Sequence, residues 1–134
     1  MTRVLVCGGR NFRDRALLFA TLDRLHAERK FTALMQGEAP GADRLARDWA
    51  CTKREIERWK CPAKWTDLSH PDAVIRTRRD GTKYDAKAGT RRNAKMLEWK
   101  PNLVVAFPGG SGTADMMRRA RAAGVEVIEV KYAD

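Results

Sequence analysis

The sequence predicts an α/β protein: a single Rossmann-like domain with a mostly parallel sheet of about five strands and helices on both faces. Three observations predict it. Short apolar β-type runs alternate with stretches of helical period along the whole chain. A glycine-rich loop follows each of the strands expected to lie centrally. The 134 residues fit one domain, long enough to bury roughly two-thirds of the surface its unfolded form exposes. Repeated strand–helix–strand units imply parallel pairing, because right-handed crossovers lay the helices on the sheet faces.

Arg3 to Cys7 reads as a buried strand, and Asp14 to Arg29 follows as a helix with Leu18, Leu22 and Leu25 on one face. Phe31 to Gln36 is a second strand. The loop Gly37-Glu38-Ala39-Pro40-Gly41 breaks it, and Ala42 to Cys51 is a helix with Leu45 and Trp49 inward. Glu55 to Cys61, alternating around Ile56 and Trp59, is a third strand. Residues 62–88 hold Pro62, Pro71 and the string Arg76-Thr-Arg-Arg-Asp-Gly with little periodicity, which reads as a long basic surface loop. Helix resumes near Thr90, read as an N-cap, and runs to Trp99 ahead of Pro101. Leu103 to Phe107 is a fourth strand, followed by Pro108-Gly109-Gly110-Ser111-Gly112-Thr113. A helix to Ala123, a stop at Gly124 and a last strand from Glu126 to Val130 complete the chain.

Composition excludes several classes. With 43% hydrophobic and 33% charged residues, 10 Gly and 5 Pro, the balance is that of an ordinary globular protein. Apolar runs such as Val4 to Cys7 and Leu103 to Phe107 are far too short to cross a bilayer. No signal-peptide core follows Met1, so a cytoplasmic protein without a membrane partner is expected. Cys7, Cys51 and Cys61 form no C-x-x-C pair, and His26 and His70 lie in no metal-ligand spacing, so neither a disulfide framework nor a metal site is expected. Cys7 reads as a small core residue. The net charge of +10 is uneven: +3 over residues 1–52, +7 over 53–100 and zero over 101–134. An anionic partner, nucleotide or nucleic acid, is consistent with that excess.

In such sheets ligands bind beyond the carboxyl ends of the strands. The loops there are Gly8-Gly9-Arg10, Gly37 to Asp43, and Gly109 to Thr113. Glycine can serve a tight turn, or it can bare backbone N–H groups for a phosphate at a helix N-terminus. Three such loops at one edge, the last with the Ser111 and Thr113 hydroxyls, point to an anionic ligand. No G-x-x-x-x-G-K-[ST] occurs, and Gly8-Gly9 lacks the third glycine of a dinucleotide fingerprint, which disfavours ATP hydrolysis and ordinary hydride transfer; no cofactor is expected. Arg91 and Arg92 open a helix, where cations oppose the dipole unless an anion compensates; Arg92, and after it Arg10, are therefore candidate ligand contacts.

These residues resemble the SLOG superfamily, which joins the DNA-processing protein A domain and the LONELY GUY phosphoribohydrolases, and within it the small stand-alone YspA/YpsA-related branch. The matching pieces are Val4 to Arg10, Gln36 to Asp43, Ala88 to Leu97 and Phe107 to Met116. The resemblance implies a Rossmann-like fold that binds nucleotides or nucleotide-derived molecules, with phosphate on the loop Pro108 to Thr113. The phosphoribohydrolases cleave a base from a nucleoside 5′-monophosphate, with the Arg of R-K-x-x-M and the Glu of P-G-G-x-G-T-x-x-E catalytic. Arg92 and Met96 match the first motif. The Glu position is Met116, and methionine can neither stabilise a ribosyl cation nor orient water.

Asp115 is turned away by the helix and reads as a complement to its N-terminus. Asp43 reads as a helix cap, which leaves Glu38 as the candidate carboxylate beside Arg92. The leading expectation is a nucleotide-binding or nucleotide-sensing protein, with phosphate contacts from Gly8, Gly9, Arg10, Gly37, Arg92, Asn93, Gly109, Gly110, Ser111, Gly112 and Thr113. Hydrolysis of nucleoside monophosphates is the first alternative. Single-stranded DNA binding along the basic middle segment, with Trp59, Trp65 or Tyr84 as stacking platforms, is the second. A homodimer is compatible with the sequence.

Overall fold

The structure is a computed structural model, and it describes residues 2–132. The chain runs β1 (Thr2–Cys7), α1 (Arg15–Arg29), β2 (Phe31–Gln36), α2 (Ala42–Cys51), β3 (Glu57–Lys60), β4 (Ile75–Thr77), β5 (Lys83–Asp85), α3 (Ala88–Glu98), β6 (Leu103–Ala106), α4 (Ser111–Ala122) and β7 (Glu126–Glu129). Five strands form one parallel sheet in the order β3-β2-β1-β6-β7. The fold is the α/β, Rossmann-like single domain that the alternation predicts.

Period-two alternation sorts the core into two layers. Val4 and Val6 of β1 face α1 and α2, where Leu18, Leu22 and Trp49 complete a fully buried cluster. Leu5 faces the other way, onto Met96 of α3 and Met116 and Ala120 of α4. Helix α1 starts where Asp14 caps it, its carboxylate accepting the Leu17 N–H at 3.0 Å. Helix α2 ends by burying Trp49, whose indole N–H donates to Asp23 at 2.9 Å.

The segment 62–88, read as a long basic surface loop, contains a hairpin. Ile75–Thr77 pairs antiparallel with Lys83–Asp85, closed by a turn in which Gly81 has φ +88° and the Arg78 N–H donates to the Thr82 carbonyl at 2.9 Å. The Asp80-Gly81 pair is the turn signal for this hairpin. Asp85, with no exposed surface, anchors it: its carboxylate accepts the N–H groups of Val74 (3.1 Å) and Lys87 (2.9 Å) and an Arg91 N–H (2.8 Å). The Arg91 bond holds the Asp85 carboxyl at about 2, below the usual carboxylate range. Helix α3 accordingly begins at Ala88 rather than at a Thr90 cap; the Thr90 hydroxyl instead donates to the Lys87 carbonyl at 3.2 Å. The third strand is shorter than Glu55 to Cys61 because Ile56 turns into the core, at 4% exposure.

Strands β2 and β6 flank β1 on opposite sides, so successive connections leave β1 in opposite directions. This is the switch point at which open α/β sheets form a ligand crevice. Here that crevice opens between the carboxyl ends of β1 and β6.

Candidate functional site

A cleft of about 760 Å³ fills this position, within the size range of small-molecule sites. Nine of the twelve residues singled out in the sequence line it: Gly8, Gly9, Arg10, Arg92, Asn93 and the run Gly110 to Thr113. Gly37, Glu38 and Gly109 lie outside it.

The loops divide the work unequally. At the first, the Gly9 N–H donates to the Pro108 carbonyl at 2.9 Å, while the Gly9 carbonyl accepts the N–H groups of Phe12 and Ala42 at 3.2 Å each. Gly9 is thus committed to holding the first and third loops together, and its N–H is not free for a phosphate. Gly109 is glycine for the same close approach, since a Cβ there would lie 2.6 Å from the Gly9 nitrogen. The third loop is different. Helix α4 starts with no side-chain cap and no acidic residue in its first turn, and a Cβ at Gly110 or Gly112 meets no atom within 4 Å. The N–H groups of Ser111, Gly112 and Thr113 belong to the first helical turn, which has no intrahelical carbonyl for them. The positive end of α4 therefore faces the cleft uncompensated by the chain.

Arg92 is held in the opposite wall. Its Nε donates to Asn93 Oδ1 at 3.1 Å and its Nη1 to the carbonyls of Gly37 at 3.0 Å and Cys61 at 3.3 Å. The guanidinium occupies the space that a side chain at Gly37 would need: a Cβ there falls 2.0 Å from Nη1. Gly37 is a seat for Arg92 and lies outside the cleft lining. Asn93, 4% exposed, spends its amide N–H groups on the Gly112 carbonyl and on Asp115, each at 3.1 Å, so it sets the distance between α3 and α4. Arg91 turns the other way, onto Asp85, which offsets the cost of a cation at the start of α3.

The carboxylates are not arranged as the sequence suggested. Glu38 accepts from the Gln36 amide at 2.7 Å and lies 3.8 Å from Arg47, away from the cleft. Asp43 does not cap α2, whose N-cap is Gly41 with no side-chain bond. It lines the cleft at 5% exposure and accepts the Ala39 N–H at 3.3 Å. Burial pushes its carboxyl up to about 6, against the opposing pull of the Arg92 and Arg10 cations. Asp115, read as turned away by the helix, lines the cleft, but its carboxylate is taken up by Asn93, Arg118 and Arg119. Cys7 also lines the cleft, where burial and the nearby Asp43 push its thiol up to about 12, so it stays neutral. Met116 is fully buried in the core between the sheet and α4 and does not reach the cleft.

The lining also draws on residues beside the hairpin. Trp65 and Ala86, which flank the hairpin, form the rim opposite α4. The sequence offered Trp65 only as a stacking platform for single-stranded DNA and not as part of this cleft, because it lies in no regular element; the hairpin that Asp85 anchors carries it there.

A family profile described as the YspA, cpYpsA-related SLOG family matches residues 2–67. Over 131 residues the chain is 34% identical to the "Gene 61 protein" of Mycobacterium phage D29, covering 96% of this chain and 95% of that one. With the first glycine loop, the Gly37 to Asp43 loop and their strands all inside the matched stretch, the chain belongs to the YspA, cpYpsA-related SLOG family.

Proposed function

We propose that this protein binds a nucleotide or nucleotide-derived ligand by its phosphate, at the N-terminus of α4. The observation that carries this reading is the uncapped first turn of α4, bare of acidic residues and side-chain bulk, opening on the cleft at the switch point of the sheet. The Arg92 guanidinium is hydrogen-bonded by two carbonyls and Asn93, and although Asp43 lies near it in the cleft, no carboxylate among the described residues forms an ion pair with it, which leaves its donors to the ligand. A thermal-shift panel of nucleoside mono- and diphosphates, ADP-ribose and cyclic nucleotides at fixed salt tests it, since a ligand that binds only the folded state raises the melting temperature. Arg92→Ala should lose about 1.5–3 kcal/mol of affinity, the cost of a hydrogen bond to a charged group, and still fold. A panel with no stabilising phosphate compound removes the proposal.

One observation supports hydrolysis as a second reading: Asp43, at about 6, faces the cleft and is able to hold or release a proton near neutral pH. The Glu-position residue cannot contribute, because Met116 is in the core. Release of free base from AMP, lost in Asp43→Asn and kept in Glu38→Gln, is the outcome that favours this reading; no release leaves binding alone. For single-stranded DNA the support is weaker, since of Trp59, Trp65 and Tyr84 only Trp65 lines the cleft.

A further inference from the structure

We infer that Trp65 is the base-recognition wall of the cleft, so that the ligand class is a nucleotide with an intact aromatic base and not a phosphosugar alone. This inference rests on the phosphate site proposed above and adds to it the other end of the ligand. The cleft has two chemically distinct walls. One is the start of α4 with Arg92, made of N–H groups and charge. The other is Trp65, the large aromatic side chain on the lining.

Trp65 is held in place by more than a loose loop. Its carbonyl accepts the Asp85 N–H at 2.7 Å, and Asp85 is the buried anchor of the hairpin. Its indole edge lies against Gly89, where a Cβ would come 2.8 Å from the ring. Gly89 sits in the first turn of α3, a position where glycine costs helix stability relative to alanine. The chain thus places a glycine inside a helix where the ring needs the space. Tyr84 approaches the same indole edge-on at 6.4 Å, and the Arg10 guanidinium lies 5.5 Å from its centroid. Arg10 is an exposed side chain on a cleft-lining loop. An indole fixed at its edge, with an exposed guanidinium over it, is the arrangement that takes a base by stacking. Stacking tolerates any base, because each has a π-face.

Calorimetric titration of the wild type, Trp65→Leu and Trp65→Phe with AMP, CMP, GMP, UMP and ribose 5-phosphate tests the assignment. The wild type should bind at least one monophosphate about 5- to 150-fold more tightly than ribose 5-phosphate, the equivalent of about 1–3 kcal/mol of stacking. Trp65→Leu should erase most of that preference while leaving the ribose 5-phosphate affinity unchanged, and Trp65→Phe should keep most of it. Nucleotide should also quench the emission of the wild type more than that of Trp65→Phe. Equal affinity of the wild type for ribose 5-phosphate and all four monophosphates overturns the inference and leaves the phosphate site standing, whatever the variants do. Equal weakening of both ligand classes in Trp65→Leu makes Trp65 a structural residue and also overturns it. Absence of binding by every compound removes the phosphate site and the base wall together.

Discussion

Replacing Gly112 by Ala should stabilise the fold and weaken ligand binding at once. Gly112 is the second residue of α4, its φ is not in the left-handed region, and a Cβ there meets no atom within 4 Å. Alanine is therefore accommodated without strain. Glycine within a helix costs about 0.8–1.0 kcal/mol relative to alanine, and roughly half of that applies in a first turn where the backbone is less constrained. At about 4 °C per kcal/mol for a domain of this size, the melting temperature should rise by about 2 °C. The same methyl group enters the cleft beside the N–H groups that a phosphate would use. The hydrogen bond from Asn93 to the Gly112 carbonyl is untouched by it, so α3 and α4 stay in place. Affinity should fall at least tenfold, about 1.4 kcal/mol. Melting curves without ligand, beside calorimetric titration with the best nucleotide from the panel, read both effects. A stabilised Gly112→Ala protein that binds as well as wild type refutes the placement of phosphate on this loop.

Gly37→Ala should displace the Arg92 guanidinium, whose Nη1 lies within 2.0 Å of the new Cβ, and weaken nucleotide binding about as much as Arg92→Ala does. In the double mutant the two losses should not add, because both act through one guanidinium; additive losses in calorimetry would show that Gly37 acts separately. Asp43 has a carboxyl raised to about 6 in the folded state from 3.8, so the folded protein holds this proton more tightly than the unfolded chain. Its contribution is fully present below about 3.8 and is lost as pH rises through about 6, so Asp43→Asn should flatten the fall in stability between those values, seen in denaturant midpoints against pH. Sulfate, whose charge is constant over this range, should bind more tightly at pH 5 than at pH 7.5 in the wild type and equally at both in Asp43→Asn. Asp85 works in the opposite sense: held at about 2 by Arg91, it contributes stability above the unfolded value of 3.8 that is lost as pH falls through about 2. Asp85→Asn should therefore destabilise the protein at pH 7 and loosen the hairpin, measured as faster amide exchange at Arg78 and Tyr84.

The strands and helices of the parallel sheet were legible because each carries a strong local signal: Val4 and Val6 against Leu5, and Leu18, Leu22 and Leu25 along one face. The cleft was legible as far as glycine marks it. What glycine does at each position was not, because close approach of two backbones and room for a ligand leave the same residue in the sequence. Gly9 and Gly109 serve the first, Gly110 and Gly112 stand open to the second, and Gly37 makes space for an arginine 55 residues later. The hairpin was missed for want of periodicity, since strands of three residues with exposed Ile75, Arg76 and Thr77 show no apolar face; only Asp80-Gly81 marked it. Asp43 lines the cleft and Glu38 does not, a difference of burial that is set by elements distant in sequence and so left no local signal.

The proposed binding turns on one physical event, a phosphate settling on the first turn of α4. Backbone ¹H–¹⁵N chemical shifts followed through a titration with AMP report it residue by residue. The largest saturating shifts should fall on Ser111, Gly112 and Thr113, with smaller ones at Arg92 and Trp65, and all should need at least about tenfold more AMP in Gly112→Ala. Shifts confined to Arg76, Arg78 and Arg79 of the hairpin, with residues 111–113 unmoved, would contradict it.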